Sequence, residues 1–195
     1  MSLGSAGEGE DRPRVTLSVD VEGDFGSERL EGVDRVLPVL LDRLEERGAI
    51  ATFFVVGEVA RQRRDRVREI VERGHVLGSH GMTHAPLSSL DEQSRKAAIR
   101  DSRVCLEDLS GASCETFRAP FFDLPRGFGP LLEEAGYRWS SSKAPFSPVA
   151  HYRHLLACRH PHLLAGSSVW EVPVPGFLGL PIPEGLSYRR LFWPF

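Results

Sequence analysis

Six consecutive residues, Ala51-Thr52-Phe53-Phe54-Val55-Val56, constrain this chain more than any other stretch. The run is apolar and does not alternate with polar residues. A strand with one wet face alternates. A continuous run of this length fits a strand covered on both faces, as in a parallel sheet flanked by helices.

The flanking segments agree. Val33, Val36, Leu37, Leu40, Leu41 and Leu44 recur at helical spacing, which predicts an amphipathic helix over residues 33–47. Asp34 suits its N-cap, Pro38 falls at the edge of the first turn, and Gly48 takes the C′ position. A second helix is expected over 58–73, with Val67, Ile70 and Val71 inward and Gly74 closing it. A third begins at the capping-box pair Ser89 and Glu92 and runs to Leu109, burying Ile99, Leu106 and Leu109. A fourth covers 127–135. Strands are expected at 15–21, 51–56, 75–78, 117–120, 137–141 and 169–174, with an irregular segment at 143–167. Strand and helix alternate through short connections, so the strands should be parallel and the crossovers right-handed. With 195 residues, one domain over 14–195 after a disordered tail at 1–13 is the natural division.

In such folds function gathers at the carboxyl ends of the strands. The polar residues Asp20, Glu22, His80, His84 and Arg118 all lie just past expected strand ends. His80 and His84 are four apart with Gly81 between them, a spacing that lets two imidazoles reach one divalent metal. Asp20, Glu22 and Asp24 alternate along Asp-Val-Glu-Gly-Asp and would share one face if the chain stays extended. One carboxylate could ligate the metal while another takes a proton from water. Spacing leaves Glu22 and Asp24 both open as the ligand. Arg118 sits within a strand suited to burial, where an unpaired charge is expensive, and Asp20 is its obvious partner.

Four motifs occur in order: Asp-Val-Glu after the first strand, Ala-Thr-Phe-Phe-Val-Val-Gly, Gly-His-x-x-Gly-Ser-His-x-x-x-His, and Phe-Arg-Ala-Pro-x-Phe. Together they resemble the polysaccharide deacetylase family, the NodB-homology domain of carbohydrate esterase family 4. The likeness runs from Thr16 to Val174 and is closest to the branch with Asp-Val-Glu in the first motif. The resemblance implies an α/β fold, a distorted (β/α) barrel, with one divalent metal, zinc or else cobalt or another ion. It implies Asp20 as catalytic base and Arg118 as the residue orienting it. Glu22, His80 and His84 would be the metal ligands. The backbone N–H of Phe121 would be an oxyanion donor, and Trp139 an aromatic wall of the groove. The implied reaction is metal-dependent removal of N-acetyl groups from an amino-sugar polymer or oligosaccharide.

Glu22 departs from the more usual Asp. The family also carries a late histidine motif whose imidazole protonates the leaving amine. No such histidine follows Val174, and the chain stops at Phe195 within an apolar run. The expectation is therefore a member lacking its last strand and general acid. His151, His154, His160 and His162 are read as surface loop residues, and Cys158 to His162 as a poor second metal site. Two alternatives stand beside deacetylation. One is hydrolysis of a cyclic amide on the same fold, and the other is a non-catalytic saccharide-binding remnant.

A net charge of −3 gives no reason to expect nucleic acid as a partner. Arginines 61, 63, 64, 66 and 68 read as a solvated helix face. No run is long enough to span a membrane, and 1–14 has no apolar segment of the signal-peptide kind. Cys105, Cys114 and Cys158 are odd in number and widely spaced, which argues against a disulfide framework. These features make the cytoplasm the expected compartment.

Overall fold

The structure, a computed structural model, describes residues 16–24, 27, 29–125, 127–144, 158 and 160–174. The expected N-terminal tail, His151, His154 and the C-terminal segment after Val174 lie outside the described residues.

The apolar runs form the centre of one sheet. Strand β1 (Leu17–Val21), β2 (Ala51–Val55), β3 (Val76–Ser79), β4 (Thr116–Phe117) and β5 (Trp139–Ser140) lie side by side in chain order. They are followed by β7 (Trp170–Glu171) and, at the far edge, β6 (His162–Leu163). All neighbours are parallel except β6, which runs antiparallel to β7. This strand falls in the stretch expected to be irregular. It is only two residues long, too short for a period-two pattern to show. Among the described residues β1 and β6 are edges, so these seven strands form an open sheet and do not close the expected barrel.

Residues in register share a face. Val21, Val55, Ser79, Phe117, Ser140 and Glu171 form one buried row across six strands. With Phe53 and Leu77 on the same side, this row meets the helices and supplies the core. Phe53 and Phe117 are wholly inaccessible, and truncating either to alanine should cost about 3–5 kcal/mol. The opposite face carries Asp20, Phe54, Gly78, Thr116, Trp139 and Trp170 in register. Gly78 has no side chain for a steric reason: a Cβ there would lie 2.7 Å from the Phe54 ring.

The helices follow the predicted pattern with three corrections. The first is helix α1 (Leu37–Glu46), which is entered through a wider π-helical turn at Gly32–Val36. Pro38 has no N–H to return to Asp34, and the wider turn absorbs the missing bond. Asp34 is therefore not the N-cap. It lies inside the helical run and binds Arg63, with both carboxylate oxygens taken by the guanidinium.

The second concerns the single helix expected over 58–73, which is two: α2 (Gly57–Gln62) and α3 (Arg64–Glu72), broken at Arg63, where φ is −132° and ψ is 53°. Arginines 63, 66 and 68 are engaged by Asp34, Glu69 and the Leu109 carbonyl, so this face is less solvated than expected. The third is α4 (Glu92–Ser110), capped by Asp91 rather than Ser89. The Asp91 carboxylate accepts from the Ser94 N–H at 2.8 Å, while Ser89 belongs to a short turn before it. Helix α5 (Gly129–Glu134) completes the set. The three cysteines are free. No helix among the described residues is long and apolar enough to cross a membrane.

Candidate metal centre and its carboxylate–arginine neighbour

The loop after β3 is shaped by backbone bonding. His80 donates its N–H to the Val55 carbonyl, which extends the sheet pairing by one residue. Gly81 then turns at φ +78°, where a Cβ would lie 3.2 Å from the Thr83 carbonyl oxygen. Its N–H donates to Ser79 Oγ, which also meets Ser102 Oγ of α4 at 2.8 Å. The N-terminus of α2 closes the loop from the other side. Gly57 and Glu58, whose N–H groups have no partner within the helix, donate to the carbonyls of Gly81 and Met82 at 2.9 and 3.0 Å. This clamp fixes the segment between the two histidines.

His80 is buried, and Glu22 and His84 are half-buried. Glu22 Oε2 lies 3.4 Å from His80 Nε2 and 2.6 Å from His84 Nε2. The imidazole rings are 5.2 Å apart, and one ligand atom from each of the three residues falls within 4.8 Å of the others. His80 Nδ1 lies 2.8 Å from the Arg118 carbonyl oxygen. A carbonyl only accepts, so Nδ1 carries a proton; Nε2, which faces Glu22, donates to that carboxylate when the ring is charged and offers its lone pair to an ion when the ring is neutral. Burial alone would raise the Glu22 carboxyl. Hydrogen bonds and charge from His80 and His84 outweigh it and hold the group at about 2 against an ordinary 4.5. One ionised carboxylate and two imidazole nitrogens suit zinc or a similar divalent ion.

Asp24, the alternative ligand, has another task. Its carboxylate accepts the backbone N–H of Glu31 at 2.8 Å and of Gly32 at 2.9 Å, capping the helical run that leads into α1.

Beside the histidines lies the second group. Arg118 follows β4 and its side chain is almost wholly buried. One guanidinium nitrogen donates to Asp20 Oδ1 at 2.7 Å, and the other donates to Ser18 Oγ and Ser141 Oγ, each at 2.9 Å. Nε donates to the Ser141 carbonyl at 2.9 Å. The guanidinium lies 4.1 Å from the Phe54 ring centroid and 5.4 Å from that of Phe122. Its position is therefore fixed in three dimensions, and with it the Asp20 carboxylate.

Phe121 and Phe122 both take positive φ, 56° and 55°, unusual for side-chain-bearing residues. The turn they form, Pro120–Phe122, brings the Phe121 ring to 4.4 Å from that of His84. Trp139 stands apart: it opens β5, and three strands lie between it and β1. His162 lies on β6, its Nε2 3.0 Å from Lys143 Nζ. The described residues hold no second metal-binding group around Cys158 or His160. Ser141, Ser142 and Glu171 were not singled out in the sequence. The run Ser140-Ser141-Ser142 directly after a strand, and an acid within Val-Trp-Glu-Val-Pro-Val, were the available signals.

The fold and site define an α/β protein with a two-histidine, one-carboxylate centre at strand ends, flanked by an Asp–Arg pair. Comparison with known proteins is consistent with this. The profile of the polysaccharide deacetylase family matches residues 10–140. A peptidoglycan-N-acetylglucosamine deacetylase of Bacillus cereus is 31% identical over 87 residues, 45% of this chain and 32% of that protein. A chitooligosaccharide deacetylase of Sinorhizobium fredii is 34% identical over 85 residues, 43% of this chain and 40% of that protein. The matches thus span well under half the length of these relatives. A crystal structure from Mycobacterium smegmatis, assigned to the polysaccharide deacetylases, superimposes with a TM-score of 0.69. The superposition covers 82% of this chain and 58% of that one at 24% identity, a likeness of fold.

This chain belongs to the polysaccharide deacetylase family.

Proposed function

We propose that the chain is a metal-dependent deacetylase that removes N-acetyl groups from an amino-sugar polymer or oligosaccharide, releasing acetate and a free amine. The observation that carries this reading is the convergence of Glu22, His80 and His84 beside the Asp20–Arg118 pair. Family membership and relatives named for chitooligosaccharide and peptidoglycan deacetylation support the substrate class.

Glu22, His80 and His84 would hold the ion, zinc in the first instance. When bound, it supplies Lewis-acid polarisation and lowers the pKa of water. Asp20 accepts the proton of the attacking water and returns it to the leaving nitrogen as the C–N bond breaks. Arg118 holds one Asp20 oxygen and keeps the carboxylate in one rotamer. The Phe121 N–H is the proposed donor to the oxyanion, and the strained backbone at 121–122 supports that role. The side chains of Phe121 and Trp139 are proposed as contacts for the sugar.

The test is acetate release from chitooligosaccharides by the full chain with added zinc or cobalt, alongside metal content. Acetate release that chelation abolishes and metal restores is the expected result. Metal-independent release, or a chain that binds no divalent ion, would overturn the reading.

A further inference from the structure

In the buried row that faces the helices, Glu171 is the one carboxylate. It is wholly inaccessible, in register with Ser140 on one side and His162 on the other. A carboxylate in that position is expensive unless its oxygens are bonded. Oε1 is bonded twice, accepting the backbone N–H of Ser142 at 2.9 Å and of Lys143 at 2.8 Å. Oε2 has no hydrogen-bond partner among the described residues. Two amides converging on one oxygen fix the backbone of the segment leaving β5.

That segment holds Arg118. Ser141 supplies two acceptors, its carbonyl to Arg118 Nε and its Oγ to a terminal nitrogen, both at 2.9 Å. Ser141 is itself tied to β4 by its N–H to the Phe117 carbonyl. Ser142 Oγ accepts the N–H of Ala119 and the hydroxyl of Ser140, each at 2.9 Å, which locks the residue after Arg118 to the same segment. The chain of contacts runs from Glu171 through the 141–143 backbone to Arg118, and from Arg118 to Asp20.

We infer that Glu171 is a positioning residue for the Asp20–Arg118 pair. By pinning the amides of Ser142 and Lys143 it places the two Ser141 acceptors that set the angle of the guanidinium, and through it the Asp20 carboxylate. What it supplies is an acceptor oxygen at one point in space. Its consequence for turnover rests on the proposed deacetylation, while the geometric claim does not.

Two variants of the full chain separate these. Glu171→Gln keeps an acceptor at Oε1, and kcat should stay within about threefold of the parent. Glu171→Met fills the space without an acceptor, and kcat should fall by about 10–100-fold, the range for orienting groups one step removed from a reacting centre. KM and metal content should not change, because misorientation of the base is felt in the transition state.

The second readout is independent of activity: solvent exchange of the Arg118 Nε–H by nitrogen-15 NMR should quicken in Glu171→Met and match the parent in Glu171→Gln. Parental kcat and parental Nε–H exchange in Glu171→Met would overturn the inference. So would a loss in Glu171→Gln as large as in Glu171→Met. Should Glu171→Met not fold, Glu171→Gln decides alone: parental turnover and exchange support the inference, and a tenfold loss with metal retained overturns it. A parent chain that releases no acetate refutes the deacetylase reading, and the Nε–H comparison still decides the role of Glu171.

Discussion

Strand β3 is bracketed by two buried histidines, His75 before it and His80 after it, 7% and 2% exposed. Residue type and burial are alike, yet their chemistry is opposite. In a parallel sheet the carboxyl ends of the strands present carbonyls and the amino ends present N–H groups. His80 meets the Arg118 carbonyl, so Nδ1 carries a proton and Nε2, facing Glu22, is the nitrogen left to bind an ion. His75 meets the Ala51 N–H at 3.4 Å, so Nδ1 accepts and the proton sits on Nε2, buried without a partner among the described residues. Its ring packs at 5.2 Å from Phe53. The backbone group at the first ring nitrogen, set by the end of the sheet, decides which histidine can ligate.

The sharpest way to break this comparison is to replace both rings with glutamine. His80→Gln should empty the metal site and lower kcat/KM by on the order of 10³-fold or more, read by metal analysis and acetate release. Full metal content would refute the ligand assignment. Asp20→Asn should cost about 10²–10⁴-fold in turnover with metal retained, since it removes a base and no ligand. Arg118→Met should cost about 10²-fold by misplacing Asp20. It should leave metal content unchanged, because the bond to His80 comes from the backbone carbonyl and survives any side chain.

His75→Gln should leave activity within about twofold and change only stability. Burial, reinforced by Arg73 and opposed by Glu45, lowers the His75 pKa from its ordinary 6.5. The folded state therefore prefers the neutral ring, and this contribution is fully present above about pH 6.5. It is lost as pH falls from there through the lowered folded value. His75→Gln should thus show a smaller drop in Tm between about pH 7.5 and pH 5.5 than the parent. An equal drop would assign the acid sensitivity elsewhere.

Much of this arrangement was legible in the sequence. The unalternating run at 51–56 forecast the parallel sheet, and the placement of Glu22, His80, His84 and Arg118 past strand ends, with Asp20 one residue inside the end of β1, forecast which side chains meet. The physical cause is that burial on both faces and function at strand ends each leave local marks.

Features set by distant partners left none. Asp24 caps a helix seven and eight residues downstream. Such a contact depends on how the intervening loop folds, so an alternating Asp-Val-Glu-Gly-Asp looks like a row of ligands. Asp34 reads as a cap because the turn that Pro38 widens cannot be seen in a periodic pattern. The serines after β5 gain meaning only when Arg118 arrives from another strand.

Arg118 also imposes an order on assembly. Glu22 follows β1, and His80 and His84 both follow β3, so the cluster is drawn from the first three strands of the sheet. The Asp20–Arg118 pair spans 98 residues and requires β4 to be docked, with the segment after β5 folded against it. Contacts between distant parts of a chain carry the larger loop-closure cost. The ligand side chains can therefore gather on β1–β3 first, while both the orientation of the base and the Arg118 carbonyl that fixes the His80 ring wait for β4. On the proposed reading, a divalent ion would find its three side chains gathered early, and turnover would follow only when the later half locks into place.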